Sequence, residues 1–185
     1  MQRILRAAAE LVDTLPLEEI TMAVIAKAAG ASFSSIYRFF PSKEAILDDV
    51  VMAYLDKLQA EYENFFAHLN ATSDGETLIH KAIDIYVAFI RREPGFKALW
   101  LQGAPNPEIQ ARFHNVNLLV VGLAKAYGIG QLGMQDSPGL DLRLQLAMEA
   151  TTHLLRFAFS QSTFNQDQVI DELKRLLKAS LLILV

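Results

Sequence analysis

Three groups of residues have types and spacings that could do chemistry. Gly128, Gly130 and Gly133 spell G-x-G-x-x-G, and Glu149 lies at about the distance a ribose-binding acid would need. That pattern cradles a dinucleotide only when a strand precedes it and a helix comes directly after. Here the preceding run has helical spacing and Pro138-Gly139 interrupts the downstream segment, so a helix C-cap and a flexible loop is the stronger reading. Glu76 with His80, and Glu149 with His153, each place a carboxylate and an imidazole one helical turn apart, a spacing that could serve a metal. The further glutamates of a di-metal bundle are not evident, and surface or interface pairs fit better. The third group is Ser32, Ser34 and Ser35 beside Tyr37, Arg38 and Lys43. Alone, these serines read as helix caps and surface residues.

Composition removes other chemistries. There is no cysteine, which excludes disulfides, thiolate metal sites and cysteine nucleophiles. The run from Gly30 to Ser34 lacks the last glycine of a G-x-S-x-G elbow, so catalysis has little support and the expectation is a protein that is not an enzyme. The N-terminus gains acidic residues before any long apolar core, unlike a secretory signal, and no uncharged run is long enough to span a bilayer. The expectation is a cytoplasmic protein without a membrane partner. The net charge of -4 at first sight opposes a nucleic-acid partner, yet residues 1–46 carry as many cations as carboxylates. The acidity sits in the remainder, and a neutral head can bind DNA if its cations face one side.

The elements that position the third group are short helices. Thr21 is a good N-cap for Met22, Ile25, Ala26 and Ala29, an apolar stripe that stops at Gly30, which can take the left-handed conformation a helix end requires. Ser32 caps a second run in which Ile36 and Phe40 share a face, leaving Phe33, Ser34, Tyr37 and Arg38 more exposed. Two short helices joined by such a turn make a helix-turn-helix. A first helix over residues 2–14, with Ile4, Ala8, Leu11, Val12 and Leu15 on one stripe, closes the core of this unit.

The run AGASFSSIYRFFPSKEAIL resembles the N-terminal DNA-binding segment of the tetracycline-repressor (TetR) family, whose pattern is close to AGVSxGTLYxHFxSKExL. Matches in type or identity fall at Ala29, Gly30, Ser32, Ile36, Tyr37, Phe40, Ser42, Lys43, Glu44 and Leu47. Ser34 stands for the usual glycine, Ser35 for threonine and Phe39 for histidine, which leaves Arg38 as the compensating phosphate donor. The resemblance implies that residues 1–46 form a DNA-binding domain and residues 47–185 a helical domain for ligand binding and dimerisation. It implies DNA contacts from Thr21, Ser32, Phe33, Ser34, Ser35, Tyr37, Arg38 and Lys43, with Thr21, Tyr37 and Lys43 at phosphate positions. Phe33 would be an exposed reading residue rather than a staple onto the first helix, able to meet a thymine methyl.

Helical spacing continues through the body: residues 43–69, a helix opened by a Ser73/Glu76 capping box, a short helix after Pro94-Gly95, one from Asn106-Pro107 to near Tyr127, and two last helices over residues 140–160 and 166–184. The fold expected is all-α with about nine helices. Phe65, Tyr86, Phe89, Trp100, Phe113, Asn117, Thr152 and His153 are candidates to line a ligand pocket, since family resemblance implies that body helices enclose one. Val169, Leu173, Leu176, Leu177 and Leu181 give the last helix a broad apolar face, suited to a homodimer through the two C-terminal helices. The resulting reading is a homodimeric transcriptional regulator, a repressor of a pseudo-palindromic duplex operator, modulated by a small apolar organic effector and needing no cofactor or metal. The alternative is a helical-bundle binding protein whose helix-turn-helix does not read DNA.

Overall fold

Side-chain caps set most of the helix starts. In the computed structural model, which describes residues 1–69, 73–103 and 106–182, nine α-helices and no strand occur among the described residues. They are α1 Gln2–Thr14, α2 Met22–Ala29, α3 Phe33–Phe39, α4 Lys43–Ala67, α5 Gly75–Arg92, α6 Pro94–Gln102, α7 Pro107–Leu132, α8 Pro138–Ser160 and α9 Gln166–Leu182. The Oγ1 of Thr21 accepts from Val24 N at 3.3 Å, the Oγ of Ser32 from Ser35 N at 3.2 Å, and the Oγ of Ser42 from Ala45 N at 3.3 Å. Asn106 and Ser137 do the same for Ile109 N and Leu140 N, each just ahead of a proline that opens its helix. Each such cap contributes about 1 kcal/mol.

Two starts and ends differ from the sequence reading. The cap of α5 is Asp74, whose Oδ1 accepts from Thr77 N at 2.7 Å, rather than Ser73 with Glu76. Glu76 instead pairs with Lys178 of α9 at 2.5 Å. Helix α7 does not stop near Tyr127 but runs through Gly128 and Gly130, ending only where Gly133 takes a φ of 68°. A helical backbone satisfies its own polar groups, so glycine weakens it without forcing an end; the left-handed residue provides the end. Of the last helix as expected, Ile183 and Leu184 lie outside the described residues.

The chain forms two compact units, Met1–Lys57 with Phe89–Phe113, and Leu58–Ala88 with His114–Val185. The division therefore falls inside α4, α5 and α7. Its physical reason lies in the first unit, where α6 packs on α1. The carboxylate Oδ1 of Asp13 accepts from Gly95 N and from the Tyr54 hydroxyl, both at 2.9 Å, so α1, α4 and α6 share one hydrogen-bonded node. Ile4, Ala8 and Val12 of α1 are buried with Ile25, Ala29, Ile36 and Phe40, each large member contributing roughly 1.5 to 3 kcal/mol by burial.

In the second unit α8 packs along α9, with Leu155, Ala158, Leu173 and Leu177 buried. Lys174 pairs with Asp84 at 2.5 Å, and with the Glu76 pair this ties α9 to α5 at two points. Among the described residues no helix is long and apolar enough to cross a membrane.

Candidate nucleic-acid interface and effector cavity

The turn between α2 and α3 is held from both sides. Gly30 has a φ of 57°, and Ala31 N donates back to Ala26 O at 3.0 Å, which closes the end of α2. From α1 the Arg3 guanidinium donates to Ala29 O at 2.6 Å and to Gly30 O at 3.3 Å, placing a cation on the negative end of α2. Ile36, 1% exposed, and Phe40, 5% exposed, anchor α3 from below. Most of the remaining side chains of α3 are turned outward.

That outward face holds the sequence-predicted residues together. Phe33 and Tyr37 are each 52% exposed and stack on one another with ring centroids 6.2 Å apart, so Phe33 is not stapled inward. Ser34 and Arg38 are exposed, Ser35 is half-buried, and the Arg38 guanidinium lies 4.8 Å over the ring of Phe39. The three serines bond among themselves: Ser32 donates to the Ser35 hydroxyl at 3.0 Å, and the Ser34 hydroxyl lies 3.1 Å from that of Ser32. Thr21 is exposed at the start of α2. Lys43, by contrast, is half-buried and its Nζ donates to Leu17 O at 3.3 Å.

The sequence reading left Arg3, Arg6 and Lys27 out of the nucleic-acid set. The structure gathers them with Glu10 around one polar groove at the end of α2. Arg3 and Arg6 are three apart on one helix face and Lys27 sits in the last turn of α2, a spacing signal that was available.

Of the other chemistry-bearing patterns, the Glu149 carboxylate and the His153 imidazole meet at 3.7 Å as an exposed surface pair. Gly128 and Gly130 lie inside a helix with no strand beside them among the described residues. His153 is exposed and its ring lies on its own helix, 2.9 Å from Glu149 O. Among the described residues there is no group of three His, Cys, Asp or Glu that could hold a metal ion.

The second unit contains a cavity of about 100 Å³. Leu78, Ile83, Val120, Leu144, Met148 and Leu181 are typical of its walls, with Tyr62 and Phe66 as its aromatic members. The polar side chains on it are already engaged: the Tyr62 hydroxyl donates to Ala82 O at 3.0 Å, and Thr151 donates to Ala147 O at 2.8 Å. Burial pushes the Tyr62 hydroxyl well above the usual tyrosine range, so it stays neutral. Among the described residues no charged side chain lines this cavity.

None of the eight residues expected to line a pocket lies on it. Phe89 and Trp100, 0% and 1% exposed, belong to the first unit, where they pack on Phe96 with centroids 4.9 and 6.2 Å away; Phe113 is 6.4 Å from the same ring. Phe113 also borders a cleft of about 290 Å³ with Leu47, Val51 and Leu99. In the second unit Phe65 stacks edge-on against Phe66, Tyr86 is buried, Asn117 is half-buried and His153 is exposed. The Oγ1 of Thr152 is buried with no hydrogen-bond partner among the described residues. The walls of this cavity are mainly aliphatic, while Phe89, Trp100 and Phe113 interdigitate around Phe96 in the first unit.

A row of apolar side chains stands exposed on the second unit. Leu142, Leu146 and Phe157 of α8 are 58%, 59% and 44% exposed, and Leu176 of α9 is 52% exposed. Phe164, between the two helices, is exposed as well, its ring 6.2 Å from that of Phe157. The apolar face expected on α9 divides: Leu173 and Leu177 turn inward, and α8 supplies most of the exposed row.

Two family models match the chain. Residues 4–50 match the bacterial regulatory proteins of the tetR family, and residues 74–185 match the tetracyclin repressor-like C-terminal domain. The transcriptional regulator EthR of Mycolicibacterium smegmatis is 27% identical over 111 residues, covering 52% of this chain and 50% of that protein, so the chain spans about half the length of that curated relative. In fold, a TetR-family regulator from Streptomyces coelicolor superposes with a TM-score of 0.69 at 24% identity, covering 97% of this chain and 96% of the other. FadR from Bacillus subtilis, solved with stearoyl-CoA, gives 0.70 at 14% identity, covering 97% and 98%.

Proposed function

The chain belongs to the tetR family of bacterial regulatory proteins, and from that premise we propose how this member divides its work. Residues 1–46 read a duplex through α3, the second unit senses an apolar effector, and two copies act together as a repressor. The observation that carries the reading is the construction of α3: a helix of seven residues, capped at its start by the Ser32 hydroxyl and closed at its end by Phe40 N donating to Ile36 O, that buries Ile36 and turns Phe33, Ser34, Tyr37 and Arg38 to solvent. Two aromatic rings on so short a helix stack on one another and leave about half of each to solvent. Phe33 suits the floor of a major groove, where apolar contact with thymine methyls and hydroxyl contact with base edges carry sequence information, and Tyr37 stacked on it points to the backbone.

Thr21, Tyr37, Arg38 and Lys43 are assigned to phosphates, joined by Arg6 and Lys27 beside the turn. Phosphate contacts fix register and give salt dependence, whereas Phe33, Ser34 and Ser35 set base preference. Ser32 holds the other two hydroxyls in place. The exposed Leu142, Leu146, Phe157, Phe164 and Leu176 support a symmetric dimer, since this many large apolar side chains on two neighbouring helices exceed the scattered single ones that are normal on a surface. Two heads on one dimer would address half-sites about one helical turn apart.

The lining of the cavity supports an aliphatic effector. With its hydroxyls spent and no charge on its walls among the described residues, it offers dispersion and burial only, which favours an alkyl chain over any polar metabolite. The FadR neighbour solved with stearoyl-CoA is compatible with that class. At about 100 Å³ the cavity is well below the roughly 300 to 1,000 Å³ of a formed ligand pocket, so binding must enlarge it. That enlargement is the step through which effector and operator would oppose one another, with a coupling of about 1 to 3 kcal/mol. Selection from a random duplex pool with the full chain tests the reading. Recovery of a pseudo-palindrome supports it, and a pool that shows no enrichment over several rounds refutes it.

A further inference from the structure

The connection between α7 and α8, residues 133–137, is folded back onto α7. Met134 N donates to Gly128 O at 3.0 Å, and a side chain on Gly128 would meet the Met134 Sδ at 2.8 Å. The missing side chain of Gly128 is therefore the space that the thioether occupies. Met134 is half-buried and forms part of the cavity wall. Two residues further on, Asp136 reaches back to the same helix: its Oδ1 lies 2.6 Å from Lys125 Nζ, which also holds Asp141 of α8 at 2.7 Å. Lys125 and Gly128 are three residues apart, about 4.5 Å along the helix. The connection thus sets an unbranched apolar chain against the cavity and a carboxylate on a lysine one turn away.

We propose that residues 133–137 occupy the place of the effector, and that the effector is an alkyl carboxylate: its chain displaces the Met134 side chain and its carboxylate replaces that of Asp136 on Lys125. This rests on the reading of the cavity as an alkyl site and adds the head group and the gate. The exchange is balanced. The apolar volume of a methionine gives way to methylenes, and one carboxylate gives way to another, so the charge around Lys125 is unchanged while Asp141 keeps the ammonium in position. Met134 is suited to the part because its three rotatable bonds let it leave without moving the helices. The ion pair between Asp136 and Lys125 is easily broken, since the Asp136 side chain is 68% exposed.

The test is calorimetric titration of the full chain with dodecanoate and with 1-dodecanol, which share a chain and differ in charge. Asp136→Asn removes the competing carboxylate and should tighten dodecanoate about fivefold, the scale of an exposed ion pair, while leaving dodecanol unchanged. Lys125→Met should weaken dodecanoate alone. Met134→Ala should tighten both probes. Asp136 is exposed whereas Met134 is half-buried, so the melting of every variant is measured beside its binding. If Asp136→Asn affects both probes alike or neither, or if Met134→Ala weakens both, the proposal is overturned while the alkyl site stands. If neither probe binds any of these proteins, the alkyl site falls and the proposal with it.

Discussion

Gly95 stands where three helices meet, and replacing it with alanine tests whether the node around Asp13 holds the first unit together. A Cβ at this position would lie 2.6 Å from Asp13 Oδ1, 2.6 Å from the Tyr54 hydroxyl and 3.0 Å from Val12 Cγ1. Gly95 does not have a positive φ, so the backbone accepts alanine and the cost is steric. Overpacking of this kind costs roughly 1 to 3 kcal/mol. Moving the carboxylate away also weakens a charged hydrogen bond to Gly95 N, worth about 1.5 to 3 kcal/mol. Against this, alanine gains up to about 1 kcal/mol of helix propensity, less in a first turn. The net is a destabilisation of about 2 kcal/mol, or a melting point about 4 to 8 °C lower for a chain of this size. Tyr54→Phe in the same background removes one of the two closest atoms, so the pair should be coupled by about 1 kcal/mol in a double-mutant cycle followed by circular dichroism. A Gly95→Ala protein melting at or above the parent temperature would show that the node is not a constraint.

At the duplex, Lys43→Ala should weaken binding to all sequences alike and lower the salt slope by about 0.9 for every phosphate that a half-site no longer shares with the protein. Phe33→Ala should instead cost about 1 to 3 kcal/mol at particular base pairs, read by competition with single-substituted operators. Leu146→Glu changes a residue that is 59% exposed in one protomer, so it should leave the protomer folded yet sediment as a monomer; a dimer at micromolar concentration would refute the α8 interface. Asp48 has its carboxyl raised first by burial and then by Asp49, Glu108 and Glu44, only partly offset by the Asn106 side-chain amide. A raised folded value means that ionisation costs stability as pH rises through it, so Asp48→Asn should stabilise near pH 7 and lose that advantage below about pH 4.

The head was legible because its signals are local. Thr21, Ser32, Ser42 and Asn106 each announce a helix start within three residues of the amide they cap, and Gly30 announces an end by the one conformation it alone adopts cheaply. Local signals also misled by small steps. Ser73 and Asp74 are both good caps, and nothing in sequence chooses between neighbours. Gly128 and Gly130 looked like a helix end because glycine weakens a helix, but a long helix with packed faces carries two of them. The node of Asp13, Tyr54 and Gly95 joins residues up to 82 positions apart, and no periodicity reports such a pairing.

The cavity was illegible for a different reason: it is made by small side chains that coincide. Gly75 and Ala82 lie on one face of α5, Ala124 and Gly128 on one face of α7, and Ala147 lies on the face of α8 that carries Thr151. Each of these residues alone is an ordinary helix position, and alanine on an apolar stripe usually marks close packing. Space appears only when small residues of several helices face the same point, which is a property of the assembled unit. Large aromatic residues drew the expectation elsewhere because they are conspicuous, yet a ring removes volume rather than providing it. The residues that define an apolar site of this kind are therefore those with least side chain. Met134, filling the room that Gly128 leaves, shows the same rule at the scale of a single contact.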